Sequence, residues 1–372
     1  MKNKSATTSP SRQQRTAFLD PIYRRVILLA IAGISLLLGL AAGSYLLGFR
    51  DNVVAEVAQH FANYHALFMV FGFIGGAITL ERAVAIRNSW TWIAPALNVL
   101  AILTLLLGLP EIVPAALWLG SAVLLLGIYW LAWQRQPALA VVVQSLGAIA
   151  FGLAALQWGI TTEFPVLLAA VFPIATILGE RMELARIAYG PNSPRWITGE
   201  VVALLVAATI QASHAFGVLL IVVALHSGYF DAARKLIHGK GLARYSASCM
   251  LLGYGWLIIA GLLWGVAGEG TSYAYDAQIH CIFIGFVLSM IFAHAPTILG
   301  AVVGIQVPFN YWLVVPVAVV HIGLLIRVFA IVAEQTWEIG GLMNIFGVLL
   351  FMITALTLGI RTAHSRAKRR TA

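Results

Sequence analysis

The chain has 372 residues, of which 61% are hydrophobic and only 10% are charged. A soluble domain usually carries about 25% charged residues, so this composition leaves too few charges to cover a water-facing surface and excludes an ordinary soluble fold. Lysine and arginine outnumber aspartate and glutamate by 23 to 14, but they lie in short loops and tails. That distribution is typical of a membrane topology signal and not of nucleic-acid binding.

Runs of roughly 20 apolar residues recur along nearly the whole sequence, which is the length that crosses a bilayer as a helix. They predict an all-α bundle of twelve transmembrane helices. The predicted ranges are 26–48, 62–80, 91–108, 113–133, 138–158, 163–180, 196–212, 215–230, 246–267, 276–300, 310–331 and 340–360. A transmembrane domain over residues 26–360 is therefore expected between a polar N-terminal tail at 1–25 and a basic C-terminal tail at 361–372.

The charges in the connecting segments alternate along the chain. Every second connection is rich in cations, among them Arg82, Arg135, Arg181, Lys235 and Lys240. The connections between these are mainly acidic. Since cytoplasmic loops of membrane proteins carry an excess of lysine and arginine, the alternation predicts twelve spans in a lipid bilayer with both termini in the cytoplasm.

Several ionisable side chains fall inside the predicted helices. They are His65, His226, His280, His294, His321 and Arg327. An ionisable group in the hydrocarbon core costs at least a few kcal/mol, so each is a candidate functional residue. Histidine can remain neutral, and neutral imidazole is the commonest metal ligand.

His65 and His280 lie about one turn inside the outer ends of the second and tenth predicted helices. Two imidazoles at equal depth on different helices are what a bis-histidine haem b requires. The alternative is that each imidazole bonds a neighbouring carbonyl or hydroxyl group. Arg327 falls at a similar depth, where it could bind a haem propionate or form a structural pair with Glu334 or Asp276.

His280 and His294 are 14 positions apart in the tenth predicted helix. This spacing advances about 21 Å and turns to within about 40° of the same helix face. Together with His226 and His321, His294 could form a second, inner haem or copper site. The alternative is that these three are hydrogen-bonded core histidines.

Charged and thiol groups at the helix ends are interpreted as structural residues. Glu81 and Glu180, each next to an arginine, are expected to be anchors at the inner membrane boundary, with proton entry as the alternative. Cys249 and Cys281 begin their helices from opposite sides of the membrane, so we expect no disulfide between them.

Three segments resemble the NnrS family of polytopic membrane proteins. Residues 64–73 read YHALFMVFGF, residues 252–257 read LGYGWL, and residues 280–285 read HCIFIG, with order and spacing that agree over most of the chain. Two positions depart from the family pattern. Leu251 replaces a histidine that often precedes the second segment, and residues 293–297 (AHAPT) replace an arginine and a GHTGR sequence.

The resemblance implies a bacterial inner-membrane protein that contains haem, and in some cases copper, and takes part in the nitric oxide response. A small gas molecule or an electron donor would then be its partner. The chain also resembles subunit I of haem–copper oxidases more loosely, but it lacks the paired histidines that hold copper in those proteins. From the residues alone, a secondary transporter with histidines as a proton relay remains the alternative, and Pro173, Pro296 and Pro316 would be consistent with its broken helices.

Overall fold

The computed structural model describes residues 22–50, 55–184, 192–268, 272–304 and 306–371. Within these ranges the chain forms helices and connecting turns, and no strand. Its long helices are numbered α1 to α12. They span Ile22–Leu46, Leu67–Ile86, Ser89–Leu106, Ile112–Arg135, Leu139–Thr161, Val166–Leu184, Ser193–Thr209, Ser213–Phe230, Leu242–Ala267, Ser272–Val302, Tyr311–Phe329 and Thr336–Thr371. The predicted all-α fold is confirmed.

Ten of these helices are long and apolar enough to cross a bilayer. The two others in the described chain, α6 and α7, were also predicted as spans. In α6 the apolar stretch covers the 14 residues 166–179, because charged residues occupy its last turns. That stretch reaches about 21 Å into a hydrocarbon core about 30 Å thick. Helix α7 has 17 residues and carries Glu200 within its length.

The helices extend beyond the predicted membrane domain at both ends. The predicted N-terminal tail lies outside the described residues as far as residue 21, whereas residues 22–25 belong to α1. At the other end, α12 continues to Thr371 through residues that were predicted as a tail. Alanine, lysine and arginine are strong helix formers, so an apolar helix continues readily into such a polar segment.

Hydrogen bonds between helix termini show which ends lie together. Arg25, in the first turn of α1, donates to the carbonyl of Val302 at the end of α10 (3.1 Å). Arg135, the last residue of α4, donates to the carbonyl of Ile86 at the end of α2 (2.8 Å). We call this side of the bundle the basic end. The opposite side, where α1 ends and α10 begins, is called the far end.

Glycines bring the backbones of α11 and α12 into contact. An added Cβ at Gly323 would lie 2.7 Å from the Cβ of Met343, and one at Gly340 would lie 2.7 Å from the Cα of Arg327. Small residues permit this approach, which is common where membrane helices pack. The contact fixes the backbone of Arg327 at the far end.

Prolines do not interrupt the helices that contain them. Pro173 lies within α6 and Pro296 within α10, and both helices continue through the proline. Pro316 lies in the first turns of α11, where a missing backbone N–H is tolerated. At these three positions the chain therefore lacks the broken helices that would favour a transporter.

Candidate functional site

His65 lies two residues before α2 and is fixed by the backbone of α1. Its Nδ1–H donates to the carbonyl oxygen of Gly39 at 2.7 Å. Helix α1 comes this close because two glycines face the turn that carries His65. An added Cβ at Gly43 would lie 2.9 Å from the Cε1 of His65, and one at Gly39 would lie 2.6 Å from the Sδ of Met69. The orientation of the imidazole thus depends on glycine at these positions.

His280 lies in α10 and is fixed by the preceding turn of its own helix. Its Nδ1–H donates to the carbonyl oxygen of Asp276 at 2.8 Å, and the Asp276 carboxylate oxygen Oδ1 lies 3.3 Å from the same nitrogen. Arg327 in α11 donates to both carboxylate oxygens of Asp276, each at 2.7 Å. Of the two roles considered for Arg327, the structural pairing with Asp276 is therefore present.

The two histidines lie close enough to interact electrostatically. His280 interacts electrostatically with His65, and His65 interacts in the same way with both Arg327 and Asp276. Glu334, the other partner considered for Arg327, forms no ion pair with it among the described residues. The far end of the bundle thus brings together two imidazoles, one carboxylate and one guanidinium group.

The hydrogen bonds assign a tautomer to each of these two imidazoles. In both rings the proton sits on Nδ1, because that atom faces a carbonyl oxygen. The Nε2 atom therefore carries the lone pair, and it bonds no described residue in either His65 or His280. Histidines that ligate metals usually donate their other ring N–H to a carbonyl or carboxylate group in this way.

Each histidine is followed by π-helix. One π-helical segment, Leu67–Gly75, begins two residues after His65, and the other, Cys281–Leu288, begins directly after His280. Such segments are rare and occur frequently at functional sites. The sequence predicts neither segment.

Polar side chains bond backbone carbonyls of the π-helical segments. Ser35 of α1 donates to the carbonyl of Phe68 (2.9 Å), and Asn98 of α3 donates to that of Phe71 (2.8 Å). In the second segment, Ser289 of α10 donates to the carbonyl of Gly285. These bonds satisfy backbone groups that would otherwise be costly in an apolar interior.

His321 has both ring nitrogens engaged near the middle of α11. The indole N–H of Trp256 donates to its Nδ1 at 2.8 Å, which leaves the ring proton on Nε2. That Nε2 lies 3.4 Å from the hydroxyl of Ser289. The predicted role of His321 as a metal ligand is not favoured here, because its lone pair accepts the Trp256 hydrogen bond.

His294 belongs to a buried ion-pair cluster at the basic end. Its Nδ1–H donates to the carbonyl of Met290 (2.7 Å), and its Nε2 lies 3.2 Å from Nη1 of Arg181. Arg181 also bonds both carboxylate oxygens of Asp231, at 2.8 and 2.7 Å, and Tyr254 donates to the same carboxylate. The lone pair of His294 is therefore also in use.

Asp231, just after α8, is the charged partner that keeps Arg181 in the interior. Burial raises the pKa of the Asp231 carboxyl, but the hydrogen bonds and positive charge of Arg181 outweigh it and hold that pKa below its usual range. The sequence places Arg181 in a basic connection at the membrane boundary but does not identify Asp231 as its partner, because that pairing depends on how α6 and α8 pack together.

His226 pairs with an acidic residue that sequence analysis also missed. Its Nδ1 lies 2.6 Å from Oε1 of Glu200 in α7. His226, His294 and His321 therefore have separate partners, and the structure does not bring them into one inner site. In the described part of the chain, no group of three or more His, Cys, Asp or Glu side chains could hold a metal ion.

One family profile matches nearly the whole chain. Residues 25–360 match the profile of a family described as a domain of unknown function, DUF8744. The chain belongs to the DUF8744 family. No curated protein matches the sequence. The family description gives no activity, so the role of this DUF8744 protein has to be argued from its residues.

The remaining predicted boundary residues of this DUF8744 protein form a second ion-pair group at the basic end. Arg82 of α2 pairs with the neighbouring Glu81, and its Nη2 lies 2.9 Å from Oε1 of Glu180 in α6. Both glutamates therefore have an arginine partner, as expected of anchors. Cys249 and Cys281 are buried, free thiols.

Proposed function

We propose that this DUF8744 protein binds one haem b at the far end of the bundle, with His65 and His280 as the residues that would hold its iron. We further propose a role in membrane redox chemistry linked to the nitric oxide response, as the resemblance to the NnrS family implies. One observation carries the proposal. Both imidazoles are held through Nδ1 by a carbonyl oxygen, so both present Nε2 as the free ligand atom.

The surroundings of the pair are compatible with this cofactor. The side chain of His280 is 16% exposed, so the ring is not fully enclosed by protein. Arg327 uses Nε and Nη2 to bond Asp276, and its Nη1 bonds no described residue. A guanidinium group has five N–H donors, so Arg327 can pair with Asp276 and still donate to a propionate.

The chain's own residues would set the properties of the site. Haem b, when bound, supplies a one-electron redox centre. Gly39 and Asp276 hold the two rings in one orientation, and their carbonyls increase the basicity of the ligating Nε2 atoms. With both imidazoles held as ligands by the chain, the bound haem would be suited to electron transfer to or from a protein or small-molecule donor. A gas molecule would have to displace one histidine.

Copper is not part of the proposal. The sequence offered His226, His294 and His321 for an inner copper or haem site. His294 and His321 use their lone pairs in hydrogen bonds to Arg181 and Trp256. A metal at either ring would have to replace that bond.

We also propose that all twelve helices lie within the membrane and that the basic end faces the cytoplasm of a bacterial inner membrane. The bonds at that end join the first turn of α1 to the end of α10 and the end of α4 to the end of α2. An even number of spans that starts at the basic end also finishes there. Cytoplasmic surfaces of membrane proteins carry the excess of arginine and lysine.

Absorption spectroscopy of the purified protein tests the haem assignment. The wild-type protein should show the Soret and α bands of a low-spin haem b, and these should sharpen on reduction. His65→Ala and His280→Ala should each lose the low-spin spectrum. His214→Ala is the matched control, because His214 is an exposed histidine at the far end, and it should leave the spectrum unchanged.

Two further variants locate the ligands if the first result is unexpected. His294→Ala and His321→Ala remove the histidines with engaged lone pairs, and both should retain the low-spin spectrum. A full low-spin spectrum in the double variant His65→Ala/His280→Ala would overturn the ligand assignment. A wild-type protein that binds no haem when it is supplied during expression would overturn the proposed function.

A further inference from the structure

Helices α7 and α8 form an antiparallel hairpin that carries an acid and a base opposite each other. The turn between them includes Gln211, which has a positive φ of 56°. Glu200 of α7 and His226 of α8 meet across the hairpin, with 2.6 Å between Oε1 and Nδ1. This is the short distance of a charge-assisted hydrogen bond.

Aromatic side chains mark the depth of this pair. Trp196, four residues before Glu200, is 68% exposed, and Tyr229, three residues after His226, is 63% exposed. Tryptophan and tyrosine are enriched where a membrane protein crosses the interface. Three or four residues correspond to one helical turn. The pair therefore lies about one turn inside the apolar region, on the side of the basic end.

One oxygen of the Glu200 carboxyl group lacks a partner. Its Oε2 is shielded from solvent and bonds no residue of the described chain. A buried carboxylate oxygen without a hydrogen-bond donor is costly, and an unpaired negative charge in an apolar region costs more. A proton shared with His226 removes the cost of the unpaired charge, because the pair then carries no net charge.

Charged groups on the neighbouring helices α5 and α6 are engaged elsewhere or exposed. Helix α5 has no titratable side chain. In α6, Glu180 pairs with Arg82, Arg181 pairs with Asp231, and Glu183 is exposed. None of these groups is hydrogen-bonded to Glu200 or His226.

Helix α9, which packs against α8, offers no competing partner to the pair. Its titratable side chains are Arg244, Tyr245, Cys249 and Tyr254. Tyr254 bonds the carboxylate of Asp231. No hydrogen bond or ion pair within the described chain joins an α9 side chain to Glu200 or His226.

We propose that Glu200 and His226 form a proton-binding site that exchanges with water at the basic end. One proton is held between the carboxylate and the imidazole. Its loss leaves a single negative charge one turn inside the membrane. Trp196 and Tyr229 place the interface about one helical turn from the pair, so the proton has a short route to water at the basic end. The site does not depend on haem.

Carbodiimide labelling tests this site, because dicyclohexylcarbodiimide reacts with protonated carboxyl groups in apolar surroundings. The full-length protein in lipid nanodiscs is treated at a series of pH values on both sides of neutrality. Modified residues are then identified by mass spectrometry. Glu200 should be labelled, with a yield that falls as the pH rises. Asp276, held by two bonds from Arg327, is the internal control and should remain unlabelled.

Substitutions at Glu200 and His226 distinguish a proton-binding pair from a fixed ion pair. His226→Asn keeps a hydrogen-bond donor but cannot hold a proton, so it should move the pH midpoint of Glu200 labelling. Glu200→Gln should abolish the label at this position. If His226→Asn does not assemble, Glu200→Asp gives the same comparison by breaking the 2.6 Å bond while keeping the carboxylate. Absence of labelling at every pH, or a midpoint unmoved by the variant that folds, overturns the proposal.

Discussion

Arg327 holds both carboxylate oxygens of Asp276 at 2.7 Å, while the backbone carbonyl of the same aspartate accepts the Nδ1–H of His280. One residue therefore links a buried cation to an imidazole. His280 Nδ1 lies 2.8 Å from this backbone carbonyl and 3.3 Å from the carboxylate Oδ1, so both the backbone and the side chain of Asp276 face the ring.

Removing the arginine should destabilise the protein more than removing both charges. Arg327→Gln leaves the Asp276 carboxylate buried without its partner, which costs on the order of 3–5 kcal/mol for a buried pair. The double variant Arg327→Gln/Asp276→Asn has no unpaired charge and should recover part of this loss. Unfolding by denaturant in detergent micelles measures both. Equal losses in the single and double variants would show that the pairing contributes nothing.

The glycines of α1 should control haem binding through the position of His65. Gly43→Ala places a methyl group 2.9 Å from Cε1 of the ring, which forces the imidazole to move. Changes around a ligating histidine typically reduce affinity by on the order of 10-fold or more, so the purified variant should retain less haem than the wild type. Gly33→Ala on the same helix is the matched control, since nothing lies within 4 Å of the added atom. Equal haem content in the two variants would contradict the packing argument.

Asp231 should make the basic end sensitive to acid. Its pKa lies below the usual carboxyl range because Arg181 outweighs the effect of burial. The pair therefore contributes stability above the ordinary carboxyl pKa, and this contribution is lost as the pH falls through the lowered pKa. Asp231→Asn should lose on the order of 3–5 kcal/mol at neutral pH and show a flatter acid profile. Thermal denaturation across acidic pH values measures this, and identical profiles for variant and wild type would refute it.

Reporter fusions should give a cytoplasmic location at two points. Lys240, between α8 and α9, and the C-terminus both follow an even number of helices in the proposed topology. Alkaline phosphatase, which is active only outside the cytoplasm, should be inactive at both positions, and green fluorescent protein should be fluorescent. A fusion after Glu163, between α5 and α6, should give the reverse pattern. An active phosphatase at Lys240 would mean that α6 or α7 does not cross the membrane.

The helices, and the position of His65 and His280 at one end of the bundle, could be predicted from the sequence, whereas the partners of most histidines could not. Apolar runs determine where membrane helices lie, so α3 and α9 begin within about four residues of their predicted starts. His65 and His280 were predicted at one level from their distance to the helix ends. The Trp256–His321 and Glu200–His226 bonds depend on how each helix is rotated about its axis. That rotation is determined by packing against neighbours, which a single sequence does not specify.

The consecutive residues Glu180 and Arg181 of α6 bond Arg82 of α2 and His294 of α10, respectively. Helix α2 follows His65 and helix α10 carries His280, so α6 joins these two helices at the end of the bundle opposite the proposed haem site. Neither helix can tilt without breaking an ion pair or hydrogen bond with α6. Under the proposed haem assignment, these bonds restrict the relative movement of the two ligating histidines, which would keep the reorganisation energy of electron transfer small. A helix with a short apolar stretch is well suited to this role, because its charged end reaches into the interior as a crosslink between the other two.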